Sequence, residues 1–459
     1  MYKRPRTGLL ILTVFMLFAI ACGDDETVET TQVPATTQAP ATTQAPATTQ
    51  APPTTNAPPS SAGLLALADS ELGGMTWDEI VAAADGGTVN WYMWGGDDAI
   101  NAYVIEYLGG AVEERYNITL NQVRIVDTVD AVSQVLGETE AGVFADGSVD
   151  MIWINGENFR TMKQAGLLFC EYWDVLPNIQ YISPTDETLL FDFGTAVDGC
   201  ETPWGRAQVA MIYDSAFIET PPADMDALLQ HIRDNPGTFT YPAPPDFTGS
   251  VFVRQVLYNE ADKLFADEGG YKVLLGDFDE ELYAQVAEAT WETLNEIEPY
   301  LWREGSTYPT DKPALDQLYA NSEVTMNMTY DPAGVGLEVE SGLFSETTRT
   351  YGLESGTISN VHFVAIPYNS PNKAAALVLA NFSLSPDAQF EKNRPDVWGD
   401  VTVLDVTTVS ADLQTAWANL PRHPSVVAPE DLAPLAQPEL RGDWLTRIEA
   451  DWETYVASQ

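Results

Sequence analysis

Asp150-Met151-Ile152-Trp153-Ile154-Asn155-Gly156-Glu157-Asn158-Phe159 decides how this chain folds. The apolar run 151–154 is too short for a helix and reads as a strand buried on both faces. It runs straight into small polar residues, after which 159–165 has helical spacing. Upstream, 89–94 is a strand candidate ending in Gly95-Gly96, and 97–116 carries apolar residues at helical intervals. A second strand at 121–125 and a second helix at 128–143 follow. Strand and helix thus alternate three times, the pattern of a parallel α/β sheet with right-handed crossovers. Further out, 64–84 reads as a helix in which Thr76 can cap a turn. Downstream, 207–213, 239–241, 324–330 and 361–366 read as strands. Segments 223–233, 247–258, 280–302, 372–382 and much of 429–456 read as helices. Two α/β lobes are expected, with a cleft outside the carboxyl ends of the strands.

Composition bounds the function. Of 459 residues, 45% are hydrophobic, with 12 Trp and 19 Tyr, so the body is globular. Asp and Glu number 68 against 21 Lys and Arg, a formal net charge of −47. Such a surface repels nucleic acid and anionic headgroups, which excludes a nucleic-acid role. The same acidity serves solubility or attracts cationic ligands, and net charge alone does not choose between the two.

The amino-terminal end gives the address. Lys3, Arg4 and Arg6 precede an apolar run from Gly8 to Ala21, and Ala19-Ile20-Ala21-Cys22 closes it. A charged n-region, an apolar h-region and small residues before a cleavage point make a secretory leader over 1–21. The cysteine after small residues resembles the lipobox of bacterial lipoproteins, with Ala19 departing from the usual Leu. That resemblance implies a lipid on Cys22 and an extracytoplasmic protein anchored to the bacterial cell membrane. An ordinary secretory peptide is the alternative. Residues 22–62 are Thr/Pro/Ala/Gln-rich with a repeating six-residue unit, Thr36-Thr37-Gln38-Ala39-Pro40-Ala41, and are expected to be a disordered linker. Its prolines favour polyproline II, which at ~3.1 Å per residue reaches about 120 Å. With Cys22 lipidated, Cys170 and Cys200 remain, a natural disulfide in an oxidising compartment.

Several segments carry a family resemblance together. They are Trp94-Gly95-Gly96 with Ile100-Asn101, Gly147-Ser148-Val149-Asp150 leading into Trp153-Ile154-Asn155-Gly156-Glu157-Asn158-Phe159, and Pro203-Trp204-Gly205-Arg206-Ala207-Gln208. Phe239-Thr240-Tyr241-Pro242-Ala243-Pro244-Pro245-Asp246-Phe247-Thr248-Gly249 is a fourth, and Ile366-Pro367-Tyr368-Asn369-Ser370-Pro371-Asn372-Lys373-Ala374 with Asn381-Phe382-Ser383-Leu384-Ser385-Pro386 a fifth. The chain resembles type II periplasmic solute-binding proteins of ABC importers, and within them the YnjB-type component described as a thiamine-transport binding protein. The resemblance implies an α/β, two-lobed type II periplasmic-binding-protein fold with hinge strands and a central ligand cleft. It divides the body into lobe 1 (63–210), lobe 2 (211–329) and a return through 330–459, with C-terminal helices packing across both lobes. It also implies delivery of solute to ABC permease subunits, and a monomer without a cofactor is expected.

The expected ligand-binding residues lie at strand ends. Trp94 and Gly95, with Asn101, form one strand-to-helix junction, and Asn155, Glu157 and Asn158 form another. A tight turn and a helix cap are the structural alternatives. Trp204 offers a face for a sugar, a heteroaromatic ring or an organic cation. Arg206 grips an anionic group or makes a buried ion pair at the hinge. Tyr241, Asp246 and Thr248 flank a proline-stiffened loop, and Tyr330 and Asp331 end the return strand. These residues suit a thiamine-like organic cation, with a sugar as runner-up.

His231, His362 and His423 are scattered. No His-Glu-x-x-His, Cys-x-x-Cys, Walker A or Gly-x-Ser-x-Gly motif occurs, so no metal site is expected. The function read here is therefore a lipid-anchored solute-binding protein of an ABC importer, not an enzyme. A secreted carbohydrate-active enzyme and a surface adhesion module are the alternatives.

Overall fold

The computed structural model describes residues 63–458. The leader, Cys22 and the linker lie outside the described residues. Helix α1 (Trp77–Ala84) opens on the expected cap. Thr76 accepts from Glu79 N, while Glu79 reaches back to Thr76 N at 2.8 Å. The helix expected over 64–84 is limited to this stretch. Before it, Leu65–Ala66 is a short strand lying parallel to Phe169–Cys170, and the Ser70 hydroxyl donates to Leu67 O at 2.8 Å to hold a turn.

Strand β1 (Thr88–Trp94) buries Val89, Trp91 and Met93 in strict alternation. A continuous helical segment follows, from α2 (Asp98–Ala102) through a π-helical stretch, Tyr103–Gly109, to α3 (Gly110–Tyr116). Then come β2 (Thr119–Ile125), α4 (Thr128–Glu140), β3 (Met151–Ile154) and α5 (Gly156–Gln164). β1 pairs in parallel with both β2 and β3, as the repeating pattern requires.

The strand expected at 207–213 is two strands, β4 (Glu201–Gln208) and β5 (Ala210–Asp214), divided at Val209. α6 (Met225–Asp234), α7 (Phe247–Leu264), α8 (Glu280–Ile297) and α9 (Lys312–Ala320) follow. After them come β6 (Met326–Thr329), α10 (Gly334–Glu340) and β7 (Thr348–Tyr351). β5 is flanked by β6 and β7, both antiparallel to it, so the sheet of the second half takes in chain beyond residue 329. Residues 239–241 are not a strand. Phe239 O accepts from Trp302 N at 2.8 Å, a loop contact, and both Phe239 and Tyr241 sink into the core.

β8 (Thr357–Ala365) returns to the first sheet. It is antiparallel to β3 at one end, antiparallel to β4 along its length, and parallel to β9 (Ala436–Pro438) at its start. α11 (Lys373–Ser383) and α12 (Pro386–Asn393) cover the first half, and α13 (Gly442–Trp452) joins the second. Five clusters of buried apolar residues result among the described residues, and the two largest are separate. One gathers Trp91, Tyr103, Trp204, Leu377 and Trp398. The other gathers Met211, Leu228, Phe252, Trp291, Trp444 and Trp452. β4, continued by Val209, and β8 run from one to the other, since Val209 and Ile358 belong to the second core and Trp204 and Val364 to the first. Cys170 and Cys200 form the expected disulfide, 30 residues apart.

Candidate functional site

The β3–α5 junction faces the second half. Asn155 holds the position before α5 in extended backbone without a side-chain cap, and Glu157 enters the first helical turn. Asn158 Nδ2 donates to Glu157 Oε1 at 3.1 Å, while Glu157 Oε2 is buried and accepts no hydrogen bond. Burial first, and then the Glu449 carboxylate, push Glu157 up to about 7. Gly156 N donates to Asp192 Oδ2 at 2.7 Å, and Asp192 Oδ1 is left without a partner. Asp192 is 2% exposed, and burial raises it well above the carboxylate range.

The opposing wall comes from β6, α7, α13 and the segment before α13. Tyr330 OH donates to Glu439 Oε1 at 2.9 Å. Arg254 donates to the Tyr330 hydroxyl and to Ser250 Oγ, each at 3.1 Å. Ser250 Oγ donates to Glu449 Oε1 at 2.6 Å. Burial raises both Glu439 and Glu449, against the Arg254 charge and the Ser250 hydroxyl respectively. Burial alone would lower Arg254, but Glu439, Tyr330, Glu449 and Glu157 hold it protonated. The two walls meet directly. α13 lies so close to α5 that a Cβ on Gly442 would stand 3.1 Å from Glu157 Cα. Phe193 and Phe247 approach at 6.5 Å between centroids, and Arg160 pairs with Asp443 across the seam.

A second acidic group surrounds Asp331. Its Oδ1 accepts from Gly334 N and its Oδ2 from Trp398 Nε1, each at 3.0 Å. Burial, then Asp97, raise it to about 7. Asp97 caps α2 through Ile100 N at 2.9 Å, and burial raises it. Glu338 is lifted to about 7 by burial and then by Asp316. Both acidic groups carry more carboxyls than cations, with Arg254 serving the first and Lys312 the second. Among the described residues, no group of three or more His, Cys, Asp or Glu side chains is arranged to hold a metal.

The structure thus brings Asn155, Glu157, Asn158, Tyr330 and Asp331 to the seam and takes other expected site residues away from it. Trp204 is fully buried, with Trp91 at 5.1 Å, Trp153 at 5.0 Å and Trp398 at 5.4 Å. The reason is a β-bulge. Pairing with β8 shifts from Gly205↔His362 to Pro203↔Phe363, so Trp204 is the extra residue and its ring turns into the core. Tyr241 is 1% exposed, and its hydroxyl accepts from Trp452 Nε1 at 3.1 Å. Asn101 uses its amide within the fold, donating to Gly95 O at 3.0 Å and accepting from Gln122 at 2.7 Å. Trp94 and Gly95 are partly exposed beside this brace. Arg206 takes the ion-pair alternative, with Asp186 at 2.6 Å and Thr188 at 2.8 Å. Asp246 caps α7 through Thr248 N and Gly249 N, and Thr248 is buried.

Sequence reading missed Asp192, Arg254, Glu439 and Glu449. Arg254 had a visible signal: it interrupts the apolar run Val251-Phe252-Val253 before Val256-Leu257, where a lone charge requires a buried partner. The three acids lie in segments whose facing only tertiary packing defines.

Two facing α/β bodies on a pair of connecting strands, with a polar seam between them, define a binding protein, and the chain matches the bacterial extracellular solute-binding proteins over residues 108–421. It belongs to that family, the bacterial extracellular solute-binding proteins. It is 38% identical to protein YnjB of Escherichia coli K12 over 391 residues, covering 85% of this chain and 96% of that protein. Among solved structures, the TpPotD lipoprotein of Treponema pallidum superposes with a TM-score of 0.58 at 14% identity, covering 80% and 99% of the two chains. An ABC transporter protein from Clostridium perfringens gives 0.55 at 13%, over 81% and 99%. AfuA of Actinobacillus pleuropneumoniae, solved with fructose-6-phosphate, gives 0.55 at 12%, over 81% and 99%. These likenesses establish the α/β, two-lobed periplasmic-binding-protein fold.

Proposed function

We propose that this protein captures an organic cation at the seam between its two halves and passes it to membrane permease subunits while tethered by a lipid on Cys22. The observation that carries the cation is the excess of buried carboxyls around Glu157: Glu157, Asp192, Glu439 and Glu449 against Arg254 alone. Buried like charges are costly until a counter-charge arrives, so a cationic solute recovers energy that a neutral one does not. The net charge of −47 adds a long-range field of the same sign. The enclosure of Trp204 removes an expected stacking face for a sugar and for an organic cation alike, so the choice between them rests on the carboxyls. Relatives of this fold include a spermidine/putrescine binding protein from Streptococcus pneumoniae, and the Treponema relative is a lipoprotein, which supports both parts of the reading.

A thermal-shift screen of thiamine, polyamines, small amines and sugars tests it. A bound cation at a hundredfold excess over Kd stabilises the fold by about 2.7 kcal/mol. Stabilisation by sugars and by no cation would overturn the reading. Labelling of the expressed protein with a fatty-acid analogue, abolished by Cys22→Ser, tests the anchor.

A further inference from the structure

We infer that Trp398 is a clasp between the two halves: its indole N–H, aimed by the His362–Asp400 pair on the connecting strand β8, holds Asp331 of the second half and sets the balance between parted and closed forms of the empty protein. The inference goes beyond the solute reading above and does not depend on which solute is carried. Trp398 Nε1 donates to Asp331 Oδ2 at 3.0 Å. The two residues belong to different bodies. Trp398 is part of the first core and is 2% exposed. Asp331 is fixed to the second half. Its N donates to Thr329 Oγ1 of β6 at 2.9 Å, and its Oδ1 accepts from Gly334 N at the start of α10 at 3.0 Å. Beside this bond Gly399 lies against Ala333.

The segment around Trp398 is anchored where the two connecting strands pair. Asp400 Oδ2 meets His362 Nε2 of β8 at 3.1 Å and Lys392 Nζ at 2.6 Å, and Lys392 also donates to Trp204 O of β4. Arg206 N of β4 donates to Val401 O at 3.0 Å. A Cβ on Gly205 would strike both His362 and Asp400, so the glycine beside the bulge makes room for this pair. The His362 ring lies nearly parallel to the Trp398 indole, at 15° and 5.9 Å between centroids, and Trp204 closes another side at 5.4 Å. The indole is therefore aimed by groups rooted in β4 and β8, the strands about which the halves would turn. Indole has one donor and no acceptor, so its bond to Asp331 is either made or lost as the halves part. Loss of one such bond moves a two-state balance by about fivefold to tenfold. The apparent affinity for any solute held by the closed form falls in step with the closed fraction.

Double electron–electron resonance on the empty full chain tests the clasp. Spin labels are placed at Glu114→Cys on α3 and Glu288→Cys on α8, exposed positions on the two halves, with Cys22→Ser to keep that thiol unlabelled. Protein with no further change is expected to populate mainly the short distance. Trp398→Phe keeps a ring and removes the donor, and is expected to raise the long-to-short ratio at least ~fivefold. Asp331→Ala is expected to do the same, and the double variant no more than either alone, because both remove one bond. His362→Leu no longer meets Asp400. It is expected to raise the ratio when Trp398 is present and to leave it unmoved in Trp398→Phe, a dependence that a merely structural role would not produce. Melting temperatures show which variants are folded. Should Trp398→Phe not fold, Asp331→Ala and His362→Leu in its background decide in the same way. A distribution centred on the long distance before any of these changes, a ratio unmoved by Trp398→Phe or Asp331→Ala, or additive effects of the two, overturns the inference and leaves the cation reading standing.

Discussion

Glu157 shows at the scale of one residue how burial ties stability to pH. Unfolded, it titrates near its ordinary value of 4.5, and folded it is pushed up to about 7. Between these values the folded state keeps a proton that the unfolded chain has released, so the stability of the empty protein falls as pH rises through this window. Asp331 and Glu338 shift in the same direction, also to about 7. The melting temperature of empty protein is therefore expected to be higher at about pH 5 than at about pH 7.5, with the slope flattened in Glu157→Gln and in Asp331→Asn. A bound cation favours the ionised carboxylates and should flatten it too. A slope unchanged by either substitution would remove these groups from the account. Trp204 makes a different residue-scale prediction. Its ring is enclosed on all sides, so Trp204→Ala should cost about 3–5 kcal/mol in denaturant unfolding. Its burial was not legible in the sequence. An aromatic beside Gly205 reads equally as a binding face or a core residue, and only the bulge opposite His362 and Phe363 decides. Glu157 was legible because it follows a strand and opens a helix, which fixes where it stands before any packing is known.

At the scale of elements, β1 and the helices between the strands followed from periodicity, whereas β3 followed from a run of four apolar residues too short for a helix. β4 escaped because Pro203 and Gly205 read as strand breakers. It tolerates them because β8 is, among the described residues, the one strand it pairs with, apart from a single bridge between Arg206 and Val401, so it lies at the sheet's margin. The cap of α1 was legible in Thr76 and Glu79, and Thr76→Ala is expected to cost about 1 kcal/mol in thermal unfolding. The Cys170–Cys200 bond joins two segments 30 residues apart. Removing it by a double Cys→Ala change should lower stability by roughly 3–4 kcal/mol in the chain-entropy treatment, read as a lower denaturant midpoint. An unchanged midpoint would mean that the unfolded chain is already constrained there.

At the scale of the whole molecule, two cores on two connecting strands allow the halves to move as bodies, and solute biases that motion only through its differential affinity for the closed arrangement. Gly399 sits where the halves touch. Its φ of +91° is unsuited to other residues, and a Cβ there would strike the Ala333 Cβ. Gly399→Ala is therefore expected to hold the halves apart, raising the radius of gyration in small-angle scattering and weakening solute binding. Full closure of that variant would show the contact to be incidental. The placing of the C-terminal helices across both lobes came from the family resemblance and not from amphipathic spacing, which names a buried face but not what buries it. α13 buries Trp444 and Ile448 in the second core and sets Gly442 against α5.

The two-residue strand Leu65–Ala66 is where the chain from residue 62 enters the body, and it lies alongside Phe169–Cys170, whose cysteine is cross-linked to Cys200. A pull arriving along the chain would load that joint in shear, against a covalently braced abutment on the first half. The load would stop there rather than pass through β4 and β8, leaving the moving parts mechanically insulated from whatever drags on the amino-terminal end.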